Sequence, residues 1–250
     1  MASLSWPHLR EFSLVGRFPM SDNKSIILSL LAVMPNLRIL TLKQSRTKGN
    51  ERKVVVPEHA TLPSRGILRH LQELTLTYPN SDDAIFEHIP HNLRRLSLRD
   101  WMRHYCFHDP IMSPQSWGMR SPIPSSSGLL EILRRLRLPQ LEELEIVYKA
   151  SDDDRPLFEH IAAAYPLLNS SEIHRYRSES SGPPTYTFQP LSALRHLQKV
   201  RAYFNPVNKF HPYGVPEIFI PTAFRAELDG YLRMLALVLR PQPSALRKAT

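Results

Sequence analysis

The 250-residue sequence predicts an α/β fold: a solenoid of stacked strand–helix units, with a curved parallel sheet, convex helices and a C-terminal capping helix. Three observations carry this. The frame L-x-x-L-x-L, or close substitutes, recurs seven times. One unit occurs twice at length, since LQELTLTYPNSDD followed by IFEHI (from Leu71) parallels LEELEIVYKASDDDRP followed by LFEHI (from Leu141). Both of those copies pass from alternating leucines into an acidic stretch and then a helix-period apolar run. Alternate residues of a strand share a face, so the fourth and sixth positions of the frame point into one core. A single unit cannot bury that face alone, so the units must stack.

In chain order the copies are Leu9, Phe12, Leu14; Leu37, Leu40, Leu42; Leu71, Leu74, Leu76; Leu93, Leu96, Leu98; Leu141, Leu144, Ile146; Leu168, Ser171, Ile173; and Leu197, Val200, Ala202. Their starts are 28, 34, 22, 48, 27 and 29 residues apart. Leucine-rich repeats step by about 20 to 29 residues, so the frame reads as an irregular leucine-rich repeat carrying insertions. Residues 43–69 and 100–128 fall outside the period and read as rim loops. Ser81-Asp82-Asp83 and Ser151-Asp152-Asp153-Asp154 stand where helix starts need capping oxygens and negative charge, with Pro156 suited to a first turn. Phe86 and Ile89, and Leu157, Phe158 and Ile161, supply the apolar stripes behind them. Further helices are expected over residues 25–34 and 129–136. Residues 222–240 repeat apolar side chains at helical spacing until Pro241 stops them. The expectation is one domain, with residues 1–205 as the solenoid and 206–250 as a loop and capping helix.

Composition narrows the functional classes. Eight Gly against 23 Pro describe a punctuated chain without flexible linkers. A lone cysteine, Cys106, excludes an internal disulfide and a cysteine-cluster zinc site, and suits the cytoplasm or nucleus. No secretory n-region and apolar h-region opens the sequence, and its most apolar stretch, Tyr231 to Leu239, is too short to span a bilayer. The net charge of +9 gathers at the two ends of the chain, with a neutral middle.

Candidate chemistry is sparse. His104, Cys106 and His108 alternate, with Asp109 beside them, but the spacing matches no familiar zinc pattern. His88, His91 and His160 belong to helix ends of the repeat, and the acidic runs are explained as caps. Phosphate-loop, nucleophile-elbow, zinc-protease and dinucleotide motifs are missing, so a non-catalytic protein with no cofactor and no metal is expected.

The third, fifth and seventh positions of each copy face the concave surface: Glu11, Ser13, Val15; Ile39, Thr41, Lys43; Glu73, Thr75, Thr77; Arg95, Ser97, Arg99; Glu143, Glu145, Val147; Ser170, Glu172, His174; and Lys199, Arg201, Tyr203. Five are basic and five acidic. A phosphate-binding groove is strongly positive, so this mixed face suits a protein partner better than nucleic acid. Lys43, Glu73, Arg95, Arg99, Glu143, Glu145, Glu172, His174, Arg201 and Tyr203 are the expected contacts, joined by Trp101 as an exposed aromatic anchor of the 100–128 insertion with Tyr105, Phe107 and Trp117.

The frames MPNLRILTL, LRHLQELTL, HNLRRLSL and LPQLEELEI, and the later YPLLNSSEIHRY, resemble the divergent leucine-rich regions of fungal F-box proteins over residues 5–204. The resemblance implies the substrate-binding repeats of a cullin-RING ubiquitin-ligase receptor, an intracellular protein with no catalytic residues of its own. The helical F-box that ordinarily precedes such repeats is not found before Leu9. An adaptor link is therefore expected only if a longer form supplies it. A stand-alone repeat scaffold and a weak nucleic-acid binder are the alternatives.

Overall fold

The computed structural model describes residues 5–17, 26–45, 54–56, 67–101, 123–151, 154–176 and 187–204. Seven strands form one all-parallel sheet: β1 (Glu11–Arg17), β2 (Ile39–Ser45), β3 (Glu73–Thr77), β4 (Arg95–Arg99), β5 (Glu143–Lys149), β6 (Ser170–Tyr176) and β7 (Lys199–Phe204). Spatial order equals chain order, from β1 at one edge to β7 at the other. Each repeated frame supplies one strand, in the predicted register: Leu40, Leu74, Leu96 and Leu144 align in one row, and Leu42, Leu76, Leu98, Ile146 and Ile173 in the next.

The first leucine of every frame closes a turn rather than joining a strand. Its N–H donates to the carbonyl three residues earlier in all seven copies, from Leu9 to Trp6 through Leu197 to Leu194. The carbonyl of the following residue then accepts two N–H groups from the next copy; the Arg94 carbonyl, for example, accepts from Glu142 and Glu143 at 2.9 and 3.0 Å. Six successive carbonyls do this, from Arg10 to Asn169, which pins strand entry and fixes the register. The frame leucines of β2 to β5 are essentially inaccessible, while Phe12 and Leu14 at the edge are half-buried.

Between strands run α1 (Ile26–Ala32), α2 (Ser126–Arg135), α3 (Arg155–Ala164) and 3-10 turns at Ala84–Glu87 and Gln189–Ala193. Their apolar residues share one core with the strand leucines. Ser125 caps α2 by accepting from the Gly128 N–H, so this helix starts three residues before the expected 129, inside what reads as an insertion. Phe158 of α3 packs edge-on against Phe188 at 4.5 Å, and the Tyr165 hydroxyl donates to the Leu133 carbonyl, tying α3 to α2.

Two expectations about the acidic runs need correction. The stretch after Ser81-Asp82-Asp83 forms four residues of 3-10 helix, too short for a helical stripe. Asp83 caps it through the Ile85 N–H, but its buried carboxylate also accepts from Val55 and Val56 at 2.6 and 2.9 Å, clamping part of the 43–69 insertion onto the repeat. Burial pushes this carboxyl above its ordinary value, and the three backbone donors oppose the rise. Asp154 occupies the N-cap of α3 but makes no side-chain cap bond. It pairs instead with Arg175 of β6 at 2.8 Å, deep in the interior. Its second oxygen accepts from the N–H and Oγ of Ser151. Tyr148 lies beside this pair, and desolvation drives its hydroxyl pKa well up.

Residues 222–240, expected as a capping helix, lie outside the described residues, as do Asp152 and Asp153. Among the described residues no helix is long and apolar enough to cross a membrane.

Candidate functional site: the charged face of the sheet

Parallel strands paired in register turn equivalent repeat positions into rows across the sheet. The third positions of β3 to β7 make one row, Glu73, Arg95, Glu143, Ser170 and Lys199. The fifth positions make the next, Thr75, Ser97, Glu145, Glu172 and Arg201. Beyond these, Arg99 pairs with Thr77, and His174 with Val147 and Tyr203. The first two rows line a groove of about 200 Å³ across β3 to β7.

Signs alternate along the first row. Arg95 bridges two neighbours, 3.6 Å from Glu73 and 3.0 Å from Glu143, and Arg94 meets Glu142 at 3.5 Å alongside. These side chains are 36 to 58% exposed, so each pair contributes about 1 kcal/mol or less and holds geometry more than stability. The second row is different. Glu145 and Glu172 are direct partners on adjacent strands, a like-charge juxtaposition that ordinarily destabilises a sheet.

A ring of donors sustains them. Ser97 Oγ donates to Glu145 Oε2 at 2.6 Å, and the Arg99 guanidinium lies 3.8 Å from the same oxygen. Glu172 Oε1 meets His174 Nε2 at 2.9 Å, and its Oε2 faces Arg201 at 3.5 Å. His174 itself is buried beneath Tyr203, whose ring stacks on it at 4.3 Å and 8°. A ring nitrogen of His174 and carboxylate oxygens of Glu145 and Glu172 all lie within 4.8 Å of one another.

The structure thus gathers Glu73, Arg95, Arg99, Glu143, Glu145, Glu172, His174, Arg201 and Tyr203 on one face. Lys43 of β2 and Trp101, which follows β4, do not line the groove but meet each other: the Lys43 ammonium sits 5.7 Å from the Trp101 ring centroid, within cation–π range. Trp101 is half-buried rather than exposed, with Asp100 inaccessible behind it and Tyr78 donating to its carbonyl. His174 and Val147 also depart from expectation, for both are buried and neither offers a ring or side chain to a flat partner surface. Position in the frame foretells a face but not that the Tyr203 ring covers His174.

No protein-family model matches the chain, and no curated protein matches it in sequence.

The remaining sequence candidates do not converge. His104, Cys106, His108 and Asp109, with Tyr105, Phe107 and Trp117, lie outside the described residues. His88, His91 and His160 join no cluster of three ligand-type side chains among the described residues. His91 contacts the Arg137 carbonyl, and burial lowers the pKa of both His88 and His160. What sequence reading missed is the triad Glu145, Glu172 and His174 as a unit; Ser97 and Lys199, placed on the concave face but not among the expected contacts, also line the groove. The signal was present: glutamates at the fifth position of two successive frames, with histidine at the seventh of the second.

Proposed function

We propose that the chain is an irregular leucine-rich-repeat solenoid that recognises another protein on the charged face of its sheet, without catalysis. The observation that carries this reading is the alternating row Glu73, Arg95, Glu143 and Lys199 beside Ser97, Glu145, Glu172 and Arg201, with Arg99 next to them: four acidic and four basic side chains, most of them already held by their own ion pairs. Such an array selects the orientation of a partner whose charges complement it, and penalises one whose charges do not. It presents no continuous positive track for a phosphate backbone. The solenoid assignment is supported by the seven-fold turn at the frame leucine and the six-fold paired carbonyl contact, since both repeat with the sequence unit.

By its resemblance to F-box repeat regions, we assign the chain the substrate-binding part of a ubiquitin-ligase receptor, with the adaptor contact supplied by an F-box in a longer form. Affinity purification from the host under proteasome inhibition, comparing the native chain with an Arg95→Glu, Glu145→Lys variant, tests both halves. Adaptor and cullin should be recovered with the longer form, and substrate partners should be lost from the variant. Identical partner lists for native and variant chains would remove the face from the reading; a list without adaptor or cullin would remove the ligase.

A further inference from the structure

We propose that Glu145, Glu172 and His174 form a binding site for one divalent transition-metal ion, zinc by the chemistry of its ligands. This stands independently of any protein docked on the same face.

Two carboxylates and an imidazole are the oxygen and nitrogen donors that suit zinc, and three protein ligands leave a position for water or a partner's side chain. The three donor atoms lie within 4.8 Å of one another. A tetrahedral ion about 2.1 Å from each donor holds them roughly 3.4 Å apart. Closing that gap takes at most about 1.4 Å, within reach of glutamate side-chain rotation and without moving the strands.

Three features set this cluster apart from acidic side chains that merely share a surface. The glutamates are register partners, so the sheet itself forces two like charges together, and both side chains are about four-fifths buried, at 18 and 24% exposure. The imidazole is fixed, 2% exposed at its side chain, stacked on Tyr203 and aimed with Nε2 toward the carboxylates. The Glu145 carboxylate is also oriented from its Oε2 side by Ser97 and Arg99, as outer-shell groups orient metal ligands. With the ion bound, Nε2 presents its lone pair and the ring proton resides on Nδ1. Access is through the groove, which borders both glutamates and holds several water volumes.

Arg201 is the competitor. Its guanidinium is 54% exposed and touches Glu172 at 3.5 Å, so the ion displaces it toward solvent. The two variants consequently have opposite signs. Glu172→Gln removes a charged ligand and should weaken zinc binding at least tenfold, whereas Arg201→Gln removes the competing cation and should tighten it.

Zinc titration of the full chain by isothermal calorimetry, repeated with Cys106→Ala, Glu172→Gln and Arg201→Gln, reads these signs. A saturable site of one zinc per chain that survives Cys106→Ala, weakens with Glu172→Gln and strengthens with Arg201→Gln is expected. A second measurement needs no variant: cobalt(II) added to the native chain should perturb the His174 and Tyr203 ring resonances first. No saturable zinc, zinc lost with Cys106→Ala but indifferent to Glu172 and Arg201, or cobalt that spares those two rings would each overturn the site.

Discussion

Arg175→Met should be among the most damaging conservative changes in the protein, because it strands a buried charge. In the native chain the Arg175 and Asp154 side chains are 3 and 1% exposed, and their bond of 2.8 Å joins β6 to the start of α3. Methionine keeps much of the volume and removes the cation. Asp154 then retains the Ser151 N–H at 2.9 Å and Ser151 Oγ at 3.1 Å, which soften the penalty without neutralising the charge. Breaking a buried pair from one side costs about 3–5 kcal/mol, and the surviving donors place this case near 3. Against a total stability of about 5–15 kcal/mol, that is a large fraction. With a urea slope near 2 kcal/mol/M, the unfolding midpoint should fall by about 1.5 M. The double variant Asp154→Ala, Arg175→Met removes both charges, and it should cost no more than Arg175→Met alone despite losing a second set of bonds. A midpoint shift below about 0.3 M, or single effects that simply add in the double variant, would refute the view that charge burial dominates here.

Leu144→Ala, in the central β5 and 2% exposed, should cost about 2–5 kcal/mol in urea unfolding, and Leu14→Ala in the half-buried edge strand β1 clearly less. Equal costs would show that the sheet edge is covered in solution. Asp83 binds its proton more tightly when folded, so stability should decline as pH rises from 3.8 through its raised native value, and Asp83→Asn should flatten that slope in unfolding midpoints taken upward from pH 3.8. His160 has the opposite sense: its native pKa is lowered, so stability present above 6.5 should be lost as pH falls below it, and His160→Gln should remove that loss. Arg95→Ala breaks only exposed pairs and should change stability by about 1 kcal/mol or less, so any larger effect would mean the row is structural.

Much of the strand architecture was legible because each copy of the frame repeats the same physical demand. Leu37, Leu71, Leu93, Leu141 and Leu168 are all inaccessible, and each closes the same turn. Even the degraded copies at Leu168 and Leu197 form strands, since neighbouring backbones supply the pairing that Ser171 and Ala202 do not demand by side chain. Helix starts were read less well. Serine and aspartate before an apolar run signal a cap, and Ser125 behaves so; but a carboxylate beside a partner from another repeat follows the stronger interaction, and Asp154 turns to Arg175. That contact joins residues 21 apart and has no local signature. His174 was placed on the correct face with the wrong exposure, because frame position determines direction while burial depends on Tyr203 one strand away.

The in-register sheet has a further consequence for reading such faces. Parallel pairing sets each repeat position beside the same position of the next copy, so the sequence at one frame position, read down the copies, is a row on the molecule. At the third position that row runs Glu73, Arg95, Glu143, and each sign is answered by its neighbour. A solvated face needs no more than that. At the fifth position Glu145 and Glu172 repeat the same sign, and the strands cannot slip to separate them because the Arg94 and Glu142 carbonyl contacts fix the register. The repulsion is therefore built in, and Ser97, Arg99, His174 and Arg201 converge on it from four directions. A free surface tolerates such a pair only with compensation of this kind, which is why the fifth-position row, rather than the more exposed third, is where a cation or a partner's positive side chain has most to gain.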